Sequence, residues 1–378
     1  MQHINSQGNS SKAEWKIRIN TILWFVLIIG FLLSLPILFD WGTWLLAVVL
    51  VISLVLGGPV AWIARRVFGR NKQHTFVGSW FKSGAALLCI FSFGLAAPIY
   101  YLAAVTETRP IIFPQVTLTN GKKTVVFQGM QHVGSENFYK SVIYDVEKAI
   151  ADGYVIYYES VQTATPESKE FFTKLSSELT GNTDLASAYK ILGETCGLKF
   201  QSDYFTLLDT DKREHPDRHV IADVDAIELK HEYERLMKSD PEFAKAHAGD
   251  FKSKSENNSQ EKTTNLVEWL QSGTEGQKKL SGVICRGIMT LAYAPKEIKK
   301  SGKFDPLILD YRNRALVKQI IEDPHDKIFI TYGANHFSGV FDLLMQQDSG
   351  WSVATVKWMR TIEMPKREHE GKLVMDAS

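Results

Sequence analysis

Three long apolar segments stand near the start of the chain, at roughly residues 20–39, 43–64 and 83–105. Each is close to the roughly 20 residues that a helix needs to cross a bilayer. The second contains Gly57-Gly58-Pro59, which membrane helices tolerate because neighbouring helices satisfy the freed backbone groups. Uncharged runs of this length are uncommon in soluble helices. The pattern therefore predicts a membrane anchor of three transmembrane helices over residues 1–105.

The distribution of basic residues predicts the orientation of these helices. The connection between the first two segments carries no Lys or Arg. The next connection is basic, with Arg65, Arg66, Arg70, Lys72 and Lys82. Because cytoplasmic loops carry the excess of Lys and Arg, the N-terminus and this second connection are predicted to be cytoplasmic. No small-residue cleavage site follows the first segment, so we expect a retained anchor rather than a removed signal peptide.

Shorter apolar runs, of helical and strand type in turn, fill the remaining residues 106–378 and predict one extracytoplasmic α/β domain. Asn120-Gly121 lies between two β-type runs and favours a hairpin. A helix over 135–151 and a strand over 154–158 complete a strand–helix–strand unit, whose crossover is expected to be right-handed. Later elements are predicted as helices at 307–321 and 336–345 and strands at 328–332 and 351–359.

The middle of this domain, about 166–300, is predicted to be mostly helical. Residues 239–264 are polar, charged and poor in apolar side chains, which favours a solvated excursion from the domain. The tail after Pro365 is charged and is predicted to be frayed.

Two strands of this domain end in the same short motif. Gly129-Met130-Gln131-His132 follows one apolar run, and Gly333-Ala334-Asn335-His336 follows another. Glycine permits a sharp turn or a close backbone approach at such a position. Ligands of α/β proteins bind at the carboxyl ends of the strands, so we expect His132 and His336 to form one site. A single histidine of this kind is more often structural, and the repetition of the motif favours function.

Glu159 ends the strand after the first motif and is expected at the same edge of the sheet. Two imidazoles and a carboxylate can hold a divalent ion with open positions for water. The sequence therefore predicts a metal site formed by His132, Glu159 and His336. The simpler alternative is an exposed glutamate at the start of a loop.

Arg312 and Arg314 precede the second motif and cannot share a helix face, so one is expected to face the site and the other solvent. Asp223 and Asp225 follow an apolar run. They fit either an acid at a strand edge or a helix N-cap, and the cap is favoured. Four other histidines lie in polar surroundings without ligand spacing and are expected at the surface: His215, His219, His231 and His247.

Composition narrows the function classes. The net charge of the 378 residues is +1, which gives no indication of a nucleic-acid partner. Cys89, Cys196 and Cys285 lack Cys-x-x-Cys spacing, and whether the last two form a disulfide is left open. Motifs of serine hydrolases, zincins, P-loop NTPases and dinucleotide-binding enzymes are missing from the sequence.

The two Gly-x-x-His motifs, Glu159, and the Tyr311-Arg312-Asn313 stretch together resemble the TraB/PrgY/Tiki family over roughly residues 124–346. That group is similar to the erythromycin-esterase/ChaN-like superfamily. The resemblance implies an α/β fold whose active centre contains both motifs and the glutamate. In the Tiki branch it implies a metal-dependent protease with manganese or cobalt, zinc being a further option.

Carried over residue by residue, His132, Glu159 and His336 match the family's ligands, and Arg312 matches its Arg-Asn element. One departure is that family members often have a small residue where this chain has Met130-Gln131. A second is the N-terminal position of the membrane spans.

These observations favour a metal-dependent hydrolase in the inner (plasma) membrane of a bacterium, with its α/β domain in the periplasm. Its substrate is expected to be a peptide or protein, and its membrane partner the lipid bilayer. The ion would activate water at neutral pH, and Arg312 would stabilise the oxyanion. Two alternatives are a non-catalytic regulator that binds a peptide or haem through the same histidines, and a structural membrane protein with inert histidines. The oligomeric state is left open.

Overall fold

The computed structural model describes residues 4–68, 75–180, 185–251, 272–293 and 302–363. The chain divides into two compact units, one of residues 1–104 with 272–284 and the other of 105–271 with 285–378. Three predictions lie outside the described residues: the frayed tail after Pro365, the part of the polar stretch at 252–264, and the basic pair Arg70 and Lys72.

The first unit is built from three long helices, α1 (Ile4–Phe39), α2 (Trp44–Phe68) and α3 (Phe76–Thr108). Each contains a segment long and apolar enough to cross a membrane, so the three predicted helices are present with the length and composition that spanning a bilayer requires. Glycines bring α2 and α3 together, because a Cβ on Gly57 would lie 2.8 Å from the backbone nitrogen of Gly84. Trp80 fixes the same contact by donating its indole N–H to the carbonyl oxygen of Leu54 at 2.6 Å.

The second unit contains a six-stranded sheet in the order β6-β4-β7-β2-β1-β8. Strands β2, β7, β4 and β6 are parallel, and β1 is antiparallel to both β2 and β8. The bounds of these strands are β1 Ile112–Thr119, β2 Thr124–Met130, β4 Val155–Tyr158, β6 His219–Ile221, β7 Lys327–Gly333 and β8 Ser352–Arg360. The β1–β2 hairpin turns at Gly121, whose φ of 82° suits glycine, so the predicted Asn-Gly turn is confirmed. A separate pair joins β3 (Val133–Gly134) to β5 (Lys199–Phe200).

Helices cover both faces of the sheet and form most of the described part of the middle section. Their bounds are α4 Glu136–Ala151, α5 Pro166–Thr180, α6 Leu185–Cys196, α7 Gln201–Phe205, α8 Asp209–Glu214, α9 Ala226–Ser239, α10 Pro241–His247, α11 Glu275–Ala292, α12 Arg312–Glu322 and α13 Phe337–Gln347. The predicted α/β class with a helical middle is therefore present. The solvated excursion is wrong for residues 241–247, because Phe243 and His247 of α10 are buried in an aromatic cluster.

Alternation along the central strands produces two cores. Val125 and Phe127 of β2 face α12 and α13, and Ile330 of β7 joins this first core. Val126 of β2 and Phe329 of β7 point to the opposite face, where they pack against α4. Successive strand side chains point to opposite faces, so two apolar faces explain why these strands are almost continuously apolar. Burial on both faces holds the strand ends in fixed positions.

Cys196 and Cys285 form a disulfide with their Cα atoms 5.2 Å apart. The bond joins the end of α6 to α11 across a sequence separation of 89 residues. Cys89 in α3 is a free thiol. Disulfides of this kind persist in oxidising compartments.

We predict that denatured, unreduced protein isolated from the membrane fraction reacts with iodoacetamide at Cys89 alone. Reduction should add two further alkyl groups, at Cys196 and Cys285, because the disulfide protects them. Mass spectrometry of the alkylated peptides measures this. Cys196→Ser is the matched control and should expose Cys285 without reduction. Alkylation of both residues before reduction would contradict the disulfide.

Candidate active site

The carboxyl ends of four neighbouring parallel strands meet at one edge of the sheet. In the order β6, β4, β7 and β2, the residues just beyond these ends include Asp223, Glu159, His336 and His132. The parallel register places Tyr158 of β4 beside Thr331 of β7, and Met130 of β2 beside Gly333. Strand geometry therefore accounts for the gathering of polar side chains from four distant parts of the sequence.

Arg312 is the cation of this group and is 7% exposed. Its Nε donates to Asp223 Oδ1 at 2.9 Å, and its Nη2 donates to Asp223 Oδ2 at 2.6 Å. Nη2 also donates to Glu159 Oε1 at 2.8 Å. The guanidinium carbon lies 5.3 Å from the ring centroid of Tyr332. One guanidinium thus joins two carboxylates, with the bidentate geometry that arginine favours.

A π-helical turn, Pro306–Tyr311, leads directly into α12 and precedes Arg312. Turns of this type often occur at functional sites. Arg312 and Asn313 are both buried beyond the turn. Arg314 is half exposed and bonds to Glu232 instead. Of the two arginines considered from the sequence, Arg312 is the one at the site.

Two backbone contacts explain the glycines of the repeated motif. The Gly333 N–H donates to Glu159 Oε2 at 2.5 Å, and a Cβ at Gly333 would lie 3.3 Å from that oxygen. A Cβ at Gly129 would lie 3.1 Å from both the Ala334 side chain and the Pro114 carbonyl oxygen. Close approach is therefore the reason for glycine at both positions.

Glu159 is held from both sides and stays ionised. Burial raises the pKa of its carboxyl, but Arg312, His336 and His132 together outweigh burial and leave the pKa below its ordinary value. Its side chain is 19% exposed and lines two cavities. The carboxylate is thus fixed in position and accessible.

His336 is buried, and its Nε2 lies 3.8 Å from Glu159 Oε1. Its Nδ1 lies 2.7 Å from Asn313 Oδ1, and its Nε2 lies 3.5 Å from Arg312 Nη1. Burial and the charge of Arg312 lower the pKa of His336 to about 4, against the opposing effect of Glu159 and Asp223. The ring is therefore neutral at pH 7, with Nδ1–H donating to Asn313 and the Nε2 lone pair facing Arg312.

His132 lies on the cavity side of Glu159. Its ring stacks on Tyr189 at 4.2 Å between centroids, and Gln201 Nε2 lies 3.0 Å from its Nδ1. Burial and Arg312 lower the pKa of His132, with Glu159 opposing them, so this imidazole is also neutral at pH 7. A cavity of about 170 Å³ is lined by His132, Glu159, Tyr189 and Gln201, among others. His132 and Glu159 therefore line the same cavity.

A divalent ion does not fit this arrangement of side chains. Both oxygens of Glu159 are engaged, one by Arg312 and the other by the Gly333 amide. His336 directs its nitrogens to Asn313 and Arg312. Within the described ranges, no group of three or more His, Cys, Asp or Glu side chains is arranged to hold a metal ion. The guanidinium of Arg312 occupies the position between Glu159 and Asp223 that an ion held by these two carboxylates would take. The predicted metal site stays a prediction.

Sequence reasoning favoured a cap for Asp223, did not name Tyr189 or Gln201, and placed two buried histidines at the surface. Asp223 is the acid at the strand edge, with a fully buried side chain, whereas Asp225 is the N-cap of α9 and forms a capping box with Glu228. Both functions considered for this pair are thus present, one on each residue. The apolar run Val220-Ile221-Ala222 before Asp223 was the available signal. His219 and His247 are buried rather than at the surface, with side chains 5% and 0% exposed.

Comparison of the chain with models of protein families, with curated proteins and with solved structures gives no match. The resemblance to the TraB/PrgY/Tiki family stays a prediction, and the site is interpreted from its geometry.

We predict that the imidazole of His336 titrates near pH 4 in the folded protein. The signal missing from His336→Gln identifies this residue in ¹³C-histidine NMR spectra of the full-length protein in detergent. The unfolded chain takes up this proton near pH 6.5 and the folded chain near pH 4, so protonation favours unfolding in this window. The free energy of unfolding should therefore fall as pH falls from 6.5 to 4. A midpoint at or above pH 6.5 would contradict the burial of the ring beside Arg312.

We predict that Arg312→Met lowers the free energy of unfolding by about 3–5 kcal/mol, because it leaves two carboxylates buried without their cation. Pulse proteolysis of the full-length protein in urea measures the change. Arg314→Met is the matched control two residues away. Its half-exposed side chain should contribute about 1 kcal/mol or less. Equal losses in the two variants would count against the central position of Arg312.

Proposed function

We propose that this chain is a membrane-anchored hydrolase that cleaves peptide or ester bonds outside the cytoplasm. The observation that carries the proposal is the neutral imidazole of His132 beside the ionised Glu159 in a cavity at the carboxyl edge of the sheet. Such an edge is where α/β proteins bind ligands. A neutral imidazole next to a fixed carboxylate is a competent general base.

His132 is the base in this proposal. Gln201 engages Nδ1, and Nε2 has no hydrogen-bond partner among the described residues. The amide oxygen of Gln201 faces Nδ1–H when its carboxamide is turned, which leaves the lone pair on Nε2. Nε2 takes a proton from water as the water oxygen attacks the substrate carbonyl carbon. The resulting imidazolium returns the proton to the leaving amine or alcohol when the carbonyl–heteroatom bond breaks.

Glu159 stabilises the charge that develops on His132. Its carboxylate raises the pKa of that imidazole, which favours the protonated state formed during water attack. Arg312, Asp223 and His336 are positioning residues in this proposal, because Arg312 and His336 contact Glu159 and Asp223 holds Arg312. Arg312 thus fixes Glu159 rather than an oxyanion.

The three apolar helices and the disulfide both support a membrane-anchored protein whose α/β domain lies outside the cytoplasm. Three apolar helices near the N-terminus indicate association with a membrane. The Cys196–Cys285 disulfide suits an oxidising compartment, which supports an extracytoplasmic domain. Arg65 and Arg66 at the end of α2 support a cytoplasmic connection between α2 and α3. In a bacterium with two membranes, the proposed compartment of the domain is the periplasm.

The family resemblance supports the same reaction class and adds a divalent ion, namely manganese, cobalt or zinc. Elemental analysis of the full-length protein tests that addition. About one ion per chain in the wild type and none in His132→Ala/His336→Ala would establish a metal centre and require Arg312 to leave Glu159. Activity that survives chelation, with no ion bound, would assign the reaction to the side chains alone.

We predict that His132→Gln lowers kcat for cleavage of a mixed peptide and ester substrate library by about 100-fold or more, because general-base catalysis contributes about that much. The full-length protein in detergent is assayed by mass spectrometry of the products. His325→Gln is the control, since His325 is half exposed and bonds to Asp323 in the connection between α12 and β7. Substrate binding that persists in both variants without any cleavage in the wild type would favour the regulatory, binding-protein alternative.

A further inference from the structure

A second and larger cavity adjoins the first. Its volume is about 410 Å³, and it shares Met130, Glu159 and Gln201 with the cavity that His132 lines. This volume lies within the range of about 300–1,000 Å³ that is usual for small-molecule sites. Because the two cavities share these lining residues, a molecule bound in the second cavity can extend toward His132.

Lys212 is the cation in the wall of this second cavity. Its ammonium lies 4.8 Å from the ring centroid of Tyr158 and donates to the Phe205 carbonyl oxygen at 3.4 Å. Asp209 stands 3.6 Å away, but this carboxylate is 56% exposed and its attraction is screened by water. An ammonium has three donors, so these contacts fix Lys212 while leaving capacity for a ligand.

Tyr158 is fixed in turn by a partly buried hydrogen-bonded chain. Its hydroxyl lies 2.7 Å from Nδ1 of His219, and Nε2 of His219 lies 2.7 Å from Asp211 Oδ2. Asp211 is the natural acceptor for Nε2–H, so Nδ1 accepts the Tyr158 hydroxyl proton. Burial, with Asp211 and Asp209, raises the pKa of Tyr158, so the phenol stays neutral. The ring beneath Lys212 is therefore a rigid wall, formed before any ligand arrives.

We propose that this second cavity is a subsite for a carboxylate group of the substrate, with Lys212 as its cation. The inference rests on the proposed hydrolase function and names a substrate class for it. Of the described residues that line the cavity, Lys212 and Glu159 carry charge, and the charge of Glu159 is already bound by Arg312. The Lys212 ammonium is thus the charged group in this cavity that is available to pair with a ligand.

The remaining wall suits a short acidic chain. Met130, Phe205 and Ile221 offer apolar surface for a methylene stem, and Ser160 and Ser202 lie on the same wall as polar side chains. The carboxylate can belong to an acidic side chain next to the scissile bond or to the free C-terminus of a peptide. Lys212 would recognise the carboxylate from either source in the same way. The experiment below distinguishes the two sources by using a separate probe for each.

Ligand-observed NMR with the full-length protein in detergent tests the subsite without requiring turnover. The probes are N-acetyl-glutamate amide, N-acetyl-glutamine with a free C-terminal carboxylate, and the neutral N-acetyl-glutamine amide. At least one of the two acids should bind about tenfold more tightly than the neutral compound, because a charged hydrogen bond replaces a neutral one. The acid that binds identifies the source of the carboxylate. Equal binding of all three overturns the proposal.

Lys212→Met should abolish the preference for the acid while keeping an unbranched stem against Tyr158, and Lys212→Arg should retain it. Arg213→Met is the matched control on the same helix, outside the cavity lining and exposed. Loss of the preference in both Met variants would overturn the assignment to Lys212. Carboxylate binding in a protein that cleaves no substrate would refute the hydrolase while leaving the subsite, so the two failures are distinguishable.

Discussion

The contact on which the site depends is the one between Arg312 and its two carboxylates. Asp223 and Glu159 come from the ends of neighbouring strands and both bond to Nη2 of Arg312. Without that cation, two carboxylates so close together in a buried environment would repel each other. The guanidinium between them removes that cost and aligns Glu159 toward the cavity. Buried charges persist in proteins when they are paired and hydrogen-bonded, and every partner here is both. The position of His132 relative to a fixed carboxylate follows from this one arginine.

Much of the fold was predictable because its signals are local. The apolar segments predicted the membrane helices, Asn120-Gly121 predicted the hairpin, and the repeated Gly-x-x-His pattern predicted two strand ends at one edge. These patterns depend on chain length, turn geometry and the alternation of side chains, all of which operate within a few residues. The helical middle was visible for the same reason.

The parts that could not be predicted depend on partners distant in the sequence. The sequence favoured a helix N-cap for the pair Asp223 and Asp225, and Asp225 is that cap. The ion pair of Asp223 with Arg312 could not be predicted, because the two residues are far apart in the sequence. His247 seemed exposed because its neighbours in the sequence are polar, yet Asp250 and the Lys303 carbonyl oxygen satisfy its ring inside an aromatic cluster. Tertiary contacts decide whether a polar side chain can be buried, and local composition does not record them.

Neutral imidazoles and engaged carboxylates change how the site can work. A metal centre would need lone pairs directed at a common point. Here the two carboxylate oxygens of Glu159 accept hydrogen bonds from Arg312 and from the Gly333 amide instead. The same contacts that obstruct an ion orient the carboxylate beside His132, which is the arrangement a general base requires. Two cavities share Glu159 in their walls, one lined by His132, the proposed base, and the other by Lys212. A substrate that spans both would present a carbonyl to His132 only when its acidic group is seated on Lys212, so recognition and chemistry would be coupled through the position of one carboxylate.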